Sequence, residues 1–168
     1  MDNNQLIDAL VKEASRIQED ANYTGKAHLN AATIWSNRHY FLGAPATIAG
    51  VLAGAAIVKD CQILAGLLSL AATILTSLVT FLKPFERSSQ HKSLGDQFLS
   101  LRNDARVFGQ IEVLATQDVA ALTKTLKVLS ARRNDLNKGS PAIPKCAFKQ
   151  AREGIEAGES LHQVDAVK

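Results

Sequence analysis

The run FLGAPATIAGVLAGAAIV (residues 41–58), the polar pair Lys59 and Asp60, and the run CQILAGLLSLAATILTSLVTFL (residues 61–82) together decide the fold of this chain. Between Phe41 and Leu82 the only charged side chains are Lys59 and Asp60, whereas charge is dense from Asp2 to Arg38 and from Lys83 to Lys168. At the helical rise, the first run extends roughly 27 Å and the second roughly 33 Å, each enough to cross a hydrocarbon core. A charged side chain at the bilayer centre costs on the order of 2.5 to 3.5 kcal/mol, so Lys59 and Asp60 belong at a turn on the far surface. The pattern predicts a transmembrane hairpin with helices at 41–58 and 61–82 and Lys59 and Asp60 at its tip. The first run is rich in Gly and Ala and weakly apolar. The second, rich in Leu, Ile and Val, anchors it.

The flanks set the orientation. Lys26, Arg38 and His39 precede the first span, and Lys83, Arg87, His91 and Lys92 follow the second, against a single Lys59 in the connecting turn. By the positive-inside rule both termini face the cytoplasm, and Trp35, Tyr40, Phe41, Phe81 and Phe85 mark the same inner interface. The first 38 residues are polar and amphipathic, which does not fit a signal peptide. One alternative stays open: small residues also pack in water-soluble cores, so the same pattern fits a buried helical hairpin in a soluble all-helical domain.

Within the spans, two faces stand out. Gly43, Thr47, Gly50 and Gly54 share one side of the first helix, with Gly50 and Gly54 forming a G-x-x-x-G pair, and this face predicts close helix packing within the hairpin or between chains. On the second helix Gly66, Ser69, Thr73, Ser77 and Thr80, with Thr76 beside them, line up a hydroxyl stripe. These hydroxyls either bond back to the carbonyl one turn earlier or meet a neighbouring helix. Alternatively, Ser69, Thr73, Ser77 and Thr80 line a water-filled lumen shared by several copies, because two helices alone enclose no pore. Pro45 is expected in the first turn of its helix, where the missing N–H is tolerated, and Pro84 to start a new helix beyond the second span.

Outside the spans the apolar spacing is helical. Ile7, Leu10, Ala14, Ile17 and Ala21 predict an amphipathic helix within residues 1–39 that continues toward Trp35, either unbroken or with an interruption near Gly25. Leu94, Phe98, Leu101, Ala105 and Phe108 predict a second. Val119, Leu122, Leu126, Leu129 and Leu136 predict a third, with Thr116 or Asp118 as cap. Gly139, Pro141 and Pro144 end it, and Lys145 to Ala157 form a short helix carrying Phe148, Ala151 and Ile155 on one side. The expected architecture is therefore all-α: a cytoplasmic helix at 1–39, a hairpin at 40–83, a cytoplasmic helical bundle at 84–158 and a flexible tail at 159–168. Arg132 and Arg133 either complement the end of their helix dipole or meet a phosphate of a ligand or lipid.

Length and composition fit one folded protein: 168 residues, 46% hydrophobic, 21% charged, formal charge +3. The charge is too mild, and basic runs too short, to predict direct nucleic-acid binding. Cys61 and Cys146 are spaced for neither a disulfide framework nor a metal, and are expected to be small buried residues. No catalytic motif is present and His28, His39, His91 and His162 are scattered, so no enzymatic activity, cofactor or metal is expected. His39 and His91 flank the two spans and are read first as ordinary interfacial residues; the alternative is that they approach one another at the inner surface in a pH-sensing or ion-binding role.

Several of these segments resemble the SLATT family of bacterial proteins. They are Arg38-His-Tyr through the Gly/Ala-rich span, the short polar turn, the second span ending Thr80-Phe-Leu-Lys-Pro, then Glu86-Arg87, Leu99-Ser-Leu-Arg102 and Leu136 to Pro144. The resemblance implies a multi-pass protein of the bacterial inner membrane, acting as a homo-oligomeric pore-forming effector in anti-phage defence by abortive infection. It implies a trigger from a nucleotide second-messenger synthetase, a reverse transcriptase or another sensor. The alternative is a membrane-anchored scaffold that recruits a cytoplasmic signalling enzyme without conducting ions; a soluble signalling adaptor is the third reading.

Overall fold

The computed structural model describes residues 3–116 and 118–161; His162 and the rest of the expected tail from 162 onward lie outside the described residues. Among the described residues there is no strand, and the fold is all-α. Five helices follow in order: α1 (Asn3–Val58), α2 (Gln62–Leu82), α3 (Pro84–Val107), α4 (Val119–Gly139) and α5 (Lys145–Glu156). Beyond α3 the chain continues through a π-helical turn, Phe108–Glu112, and a last α-helical turn, Val113–Ala115. The chain divides into two compact units, one of residues 32–90 and one of residues up to 31 together with those from 91 onward.

The second of these units is a helical bundle whose core is the set of stripes legible in the sequence. Leu10, Ala14, Ile17 and Ala21 of α1 meet Phe98, Leu101 and Ala105 of α3 and Leu122, Leu126 and Leu129 of α4. Phe108 and Val113 complete the core, and their five-residue separation is bridged by the π-helical turn. A π-turn holds one extra residue and so keeps both side chains facing inward where a regular helix would rotate one of them out. Asp118 caps α4, its Oδ1 accepting from the backbone N–H of Ala120 at 3.0 Å and Ala121 at 3.2 Å. Such a cap satisfies donors that a helix start leaves free. On α5, Ala147 and Ala151 are buried as the spacing requires, while Phe148, expected beside Ala151, is 43% exposed.

Of the two alternatives at Gly25 the unbroken helix holds: α1 continues through it. The glycine serves close approach. A Cβ on Gly25 would lie 3.1 Å from Cβ of Phe98 and 3.3 Å from the carbonyl oxygen of Gly95. A Cβ on Gly95 would lie 2.7 Å from Cδ2 of Leu29 and 3.1 Å from the Gly25 carbonyl oxygen. The two residues form a backbone-to-backbone crossing of α1 and α3 that no larger side chain fits without displacement.

The other unit, residues 32–90, contains the hairpin. Its turn closes as a Schellman motif: the N–H of Cys61 donates to Ala56 O at 2.9 Å, that of Asp60 to Ile57 O at 3.0 Å, and Asp60 takes the left-handed conformation at φ 56°. This arrangement satisfies the last carbonyls of α1 and reverses the chain in a few residues. Lys59 and Asp60 occupy the turn. Contrary to the expected helix start, Pro45 lies inside α1. The helix preceding it, already formed over forty residues, carries through the single lost N–H donor. Pro84 does open α3, immediately after Lys83, whose φ of 47° makes the redirection.

Candidate functional site

Each hairpin helix presents three distinct faces, spaced at about 100° per residue. On α1, Ala46, Ala53 and Ala56 are buried, with Ala49 half-buried between them. On α2 the matching side is Ala65, buried, followed by half-buried Leu68, Ala72, Leu75, Val79 and Leu82. Steps of three and four on both helices describe a heptad seam, and alanine there permits close approach of the two backbones. The intrachain seam is thus alanine-based. The Gly43, Thr47, Gly50 and Gly54 face points elsewhere: a Cβ on Gly43, Gly50 or Gly54 meets nothing within 4 Å, and Thr47 bonds back to Gly43 O at 3.0 Å.

The hydroxyl stripe of α2 is exposed and rotated roughly 110° from the seam. Thr73 Oγ1 donates to Ser69 O at 2.8 Å, Ser77 Oγ to Thr73 O at 2.8 Å and Thr80 Oγ1 to Thr76 O at 3.0 Å. Each of these three hydroxyls therefore has its donor satisfied inside its own helix while its oxygen keeps acceptor capacity toward the outside. Ala72, Thr73, Thr76, Ser77, Thr80 and Phe81 line a shallow groove that ends at Lys83.

The third face is apolar and bare. Val51 is 68% exposed, Ile57 62%, Ile63 84%, Leu67 62% and Phe81 84%. In the most apolar eighteen-residue window of each span only 17% and 6% of the residues are buried, whereas the core helix of a soluble domain is mostly buried. Both segments are long and apolar enough to cross a membrane.

At the ends of the hairpin, Trp35 carries two cations: Cζ of Arg38 lies 4.6 Å and Cζ of Arg87 4.9 Å from its ring centroid. His39 sits against the rings of Tyr40 and Phe85, at 5.6 and 5.8 Å between centroids. In the bundle His91 pairs with His28, Nδ1 to Nδ1 at 2.8 Å, and His28 stacks on Phe98 at 5.6 Å. Burial, and then the charge of His91, push the His28 imidazole down to about 4. The two cysteines, expected to be buried, are exposed free thiols because Cys61 caps the hairpin turn and Cys146 falls on the outer side of α5.

Arg132 and Arg133, the candidate phosphate contacts, are both engaged by carboxylates. Arg132 pairs with Asp104 and donates to Ser100 Oγ at 3.1 Å; Arg133 pairs with Asp20 at 3.1 Å. They tie α4 to α3 and to α1. The Trp35 cluster and the His28–His91 pair were missed in the sequence, since each joins residues more than fifty positions apart. The alanine seam had a legible signal, the 46, 49, 53, 56 spacing.

Neither the protein-family models, nor the curated proteins, nor the solved structures offer a match to this chain.

Proposed function

We propose that this protein is a membrane-embedded helical hairpin that assembles with copies of itself into an ion-conducting pore, serving as an effector of bacterial anti-phage defence. The observation that carries the proposal is the conjunction, on α2, of a bare apolar face with an exposed hydroxyl stripe not used by the intrachain seam. Lipid covers the first, and copies of the chain bring the second around a common lumen, where uncharged hydroxyl oxygens pass ions without holding them. The glycine face of α1, open along Gly50 and Gly54, suits the contact between neighbouring copies. Both termini lie in the cytoplasm of the inner membrane, where the bundle receives its trigger from a nucleotide second-messenger synthetase, a reverse transcriptase or another sensor. The resemblance to SLATT proteins supports the biological setting.

The test is membrane potential on triggered expression. Depolarisation is expected from the wild type and its loss from a Ser69→Leu, Thr73→Leu, Ser77→Leu triple variant that reaches the membrane in equal amount. Undiminished ion leakage from that variant removes the assigned role of the stripe.

One observation favours the scaffold reading: the hydroxyl donors of Thr73, Ser77 and Thr80 are already satisfied within α2 and do not need water. Under that reading the hairpin only tethers the bundle. Exchange of residues 41–82 for an unrelated hairpin of equal length preserves function if the protein is a scaffold and abolishes it if the protein is a pore.

A further inference from the structure

We propose that Arg38 and Arg87, stacked on Trp35, form a binding site for the phosphate of an anionic phospholipid headgroup; the proposal rests on the membrane placement of the hairpin. Trp35 and Arg38 are three residues apart on α1 and so share a face, while Arg87 comes from the first turns of α3. With their Cζ atoms 4.6 and 4.9 Å from one ring centroid, the two guanidiniums stand no more than about 10 Å apart. The indole is half-buried and both arginines are exposed. A fixed aromatic platform orients two flexible cations before any ligand arrives, which lowers the ordering cost of binding.

The charges at this site are unanswered. Among the described residues neither Arg38 nor Arg87 has a carboxylate partner, although carboxylates lie close in sequence. Glu86 is taken by Lys83 at 3.3 Å and Asp96 by Lys92 at 3.1 Å. Arg132 and Arg133, by contrast, each hold an aspartate. Two like charges gathered on one ring repel, and an anion between or beside them relieves that repulsion. A guanidinium fork matches phosphate oxygens in bidentate geometry, better than an ammonium does.

Position selects the source of the phosphate. Arg38 lies three residues before Phe41, where the first apolar run begins, and Arg87 five residues after Leu82, where the second ends. Around them Tyr40, Phe41, Phe81 and Phe85 are 67 to 84% exposed. Aromatic rings at this depth face the acyl-chain boundary and contribute to binding only a phosphate that carries acyl chains. A free phosphate gains nothing from them.

Trp35 is the only tryptophan, so its emission reports the site directly. The full-length protein in dodecyl maltoside micelles is titrated with short-chain phosphatidylglycerol, with phosphatidylcholine of the same chain length and with inorganic phosphate. A saturable emission change with phosphatidylglycerol is expected, with the other two at least about tenfold weaker. Arg38→Gln with Arg87→Gln loses the response, and Arg38→Lys with Arg87→Lys, which keeps the charge but not the fork, retains part of it. The proposal is overturned by no saturable response, by equal affinity for phosphatidylcholine, by inorganic phosphate matching the lipid, or by an unchanged titration in the double glutamine variant. A carbonate wash of membranes separates the two failures. Wild type released from the pellet ends the membrane placement and this site with it, whereas wild type retained in the pellet without lipid discrimination ends the site alone.

Discussion

Nδ1 of His28 and Nδ1 of His91 face each other at 2.8 Å in the interior of the bundle, with 0% and 3% of the two residues exposed. One ring donates and the other accepts, so the contact survives only while at least one Nδ1 keeps its lone pair. Nε2 of His28 has no partner among the described residues, and nothing there offsets the cost of charging the ring.

Acid should therefore loosen the bundle. Burial first, and His91 second, lower the His28 imidazole from 6.5 in the unfolded chain to about 4 in the fold. Between those values the unfolded chain takes up a proton that the folded chain refuses. The stability present above pH 6.5 is lost progressively as the pH falls toward 4, by an amount on the order of 3 kcal/mol. Thermal melting of the solubilised protein from pH 7.5 to 4 should show this decline, and His28→Leu should flatten it over that window. An equally steep decline in His28→Leu would assign acid sensitivity to other groups.

Glycines in the bundle and in the hairpin should respond oppositely to alanine. At Gly95 the new Cβ meets Leu29 at 2.7 Å and the Gly25 carbonyl at 3.1 Å, so Gly95→Ala forces α1 and α3 apart and costs about 1 to 3 kcal/mol. At Gly50 and Gly54 a Cβ meets nothing within 4 Å, and the monomer should be unchanged or slightly stabilised by the better helix former. If copies of the chain pack through that face, Gly50→Ala with Gly54→Ala lowers the oligomer fraction without lowering the melting temperature. Crosslinking and melting curves on the same samples read both quantities. A melting loss in the hairpin variant as large as that of Gly95→Ala would contradict the open placement of this face.

What the sequence made legible follows from how local each signal is. The bundle core stripes, the Asp118 cap, the turn at Lys59 and Asp60 and the helix start at Pro84 all depend on residues within one or two turns of each other, and all were readable. Gly25 stays ambiguous in the sequence because an isolated glycine looks the same whether it breaks a helix or admits a neighbour; only the partner Gly95, seventy residues later, distinguishes the two. Pro45 was misread for a related reason, since the signal for a helix start is the same residue that a long established helix tolerates inside. Arg132 and Arg133 advertised positive charge, but their carboxylates come from α1 and α3. The free cations, Arg38 and Arg87, become a pair only when the hairpin brings both ends to one indole.

The alanine seam gives a test of the hairpin itself. Ala53 is 4% exposed and Ala65 5%. Leucine at either position adds volume at a buried site, at a cost of about 1 to 3 kcal/mol. Ile48, 59% exposed on the outer side, should accept leucine with no measurable change. Melting in detergent distinguishes them, and equal tolerance at all three positions would mean that the seam does not hold the helices together.

The two native cysteines, each kept alone in turn, read the topology. Cys61 caps the hairpin turn and Cys146 lies on α5 of the bundle, and both thiols are exposed. If the apolar spans cross the membrane and return, the two thiols stand on opposite sides of it. In intact spheroplasts a membrane-impermeant maleimide should modify the Cys146→Ser variant, which retains Cys61, and should leave the Cys61→Ser variant unmodified until the membrane is permeabilised. Modification of both before permeabilisation is incompatible with a sealed bilayer between the turn and the bundle. Modification of Cys146 alone would invert the orientation that the flanking Arg38, Lys83 and Arg87 predict, and the headgroup site at Trp35 would then face the outer leaflet.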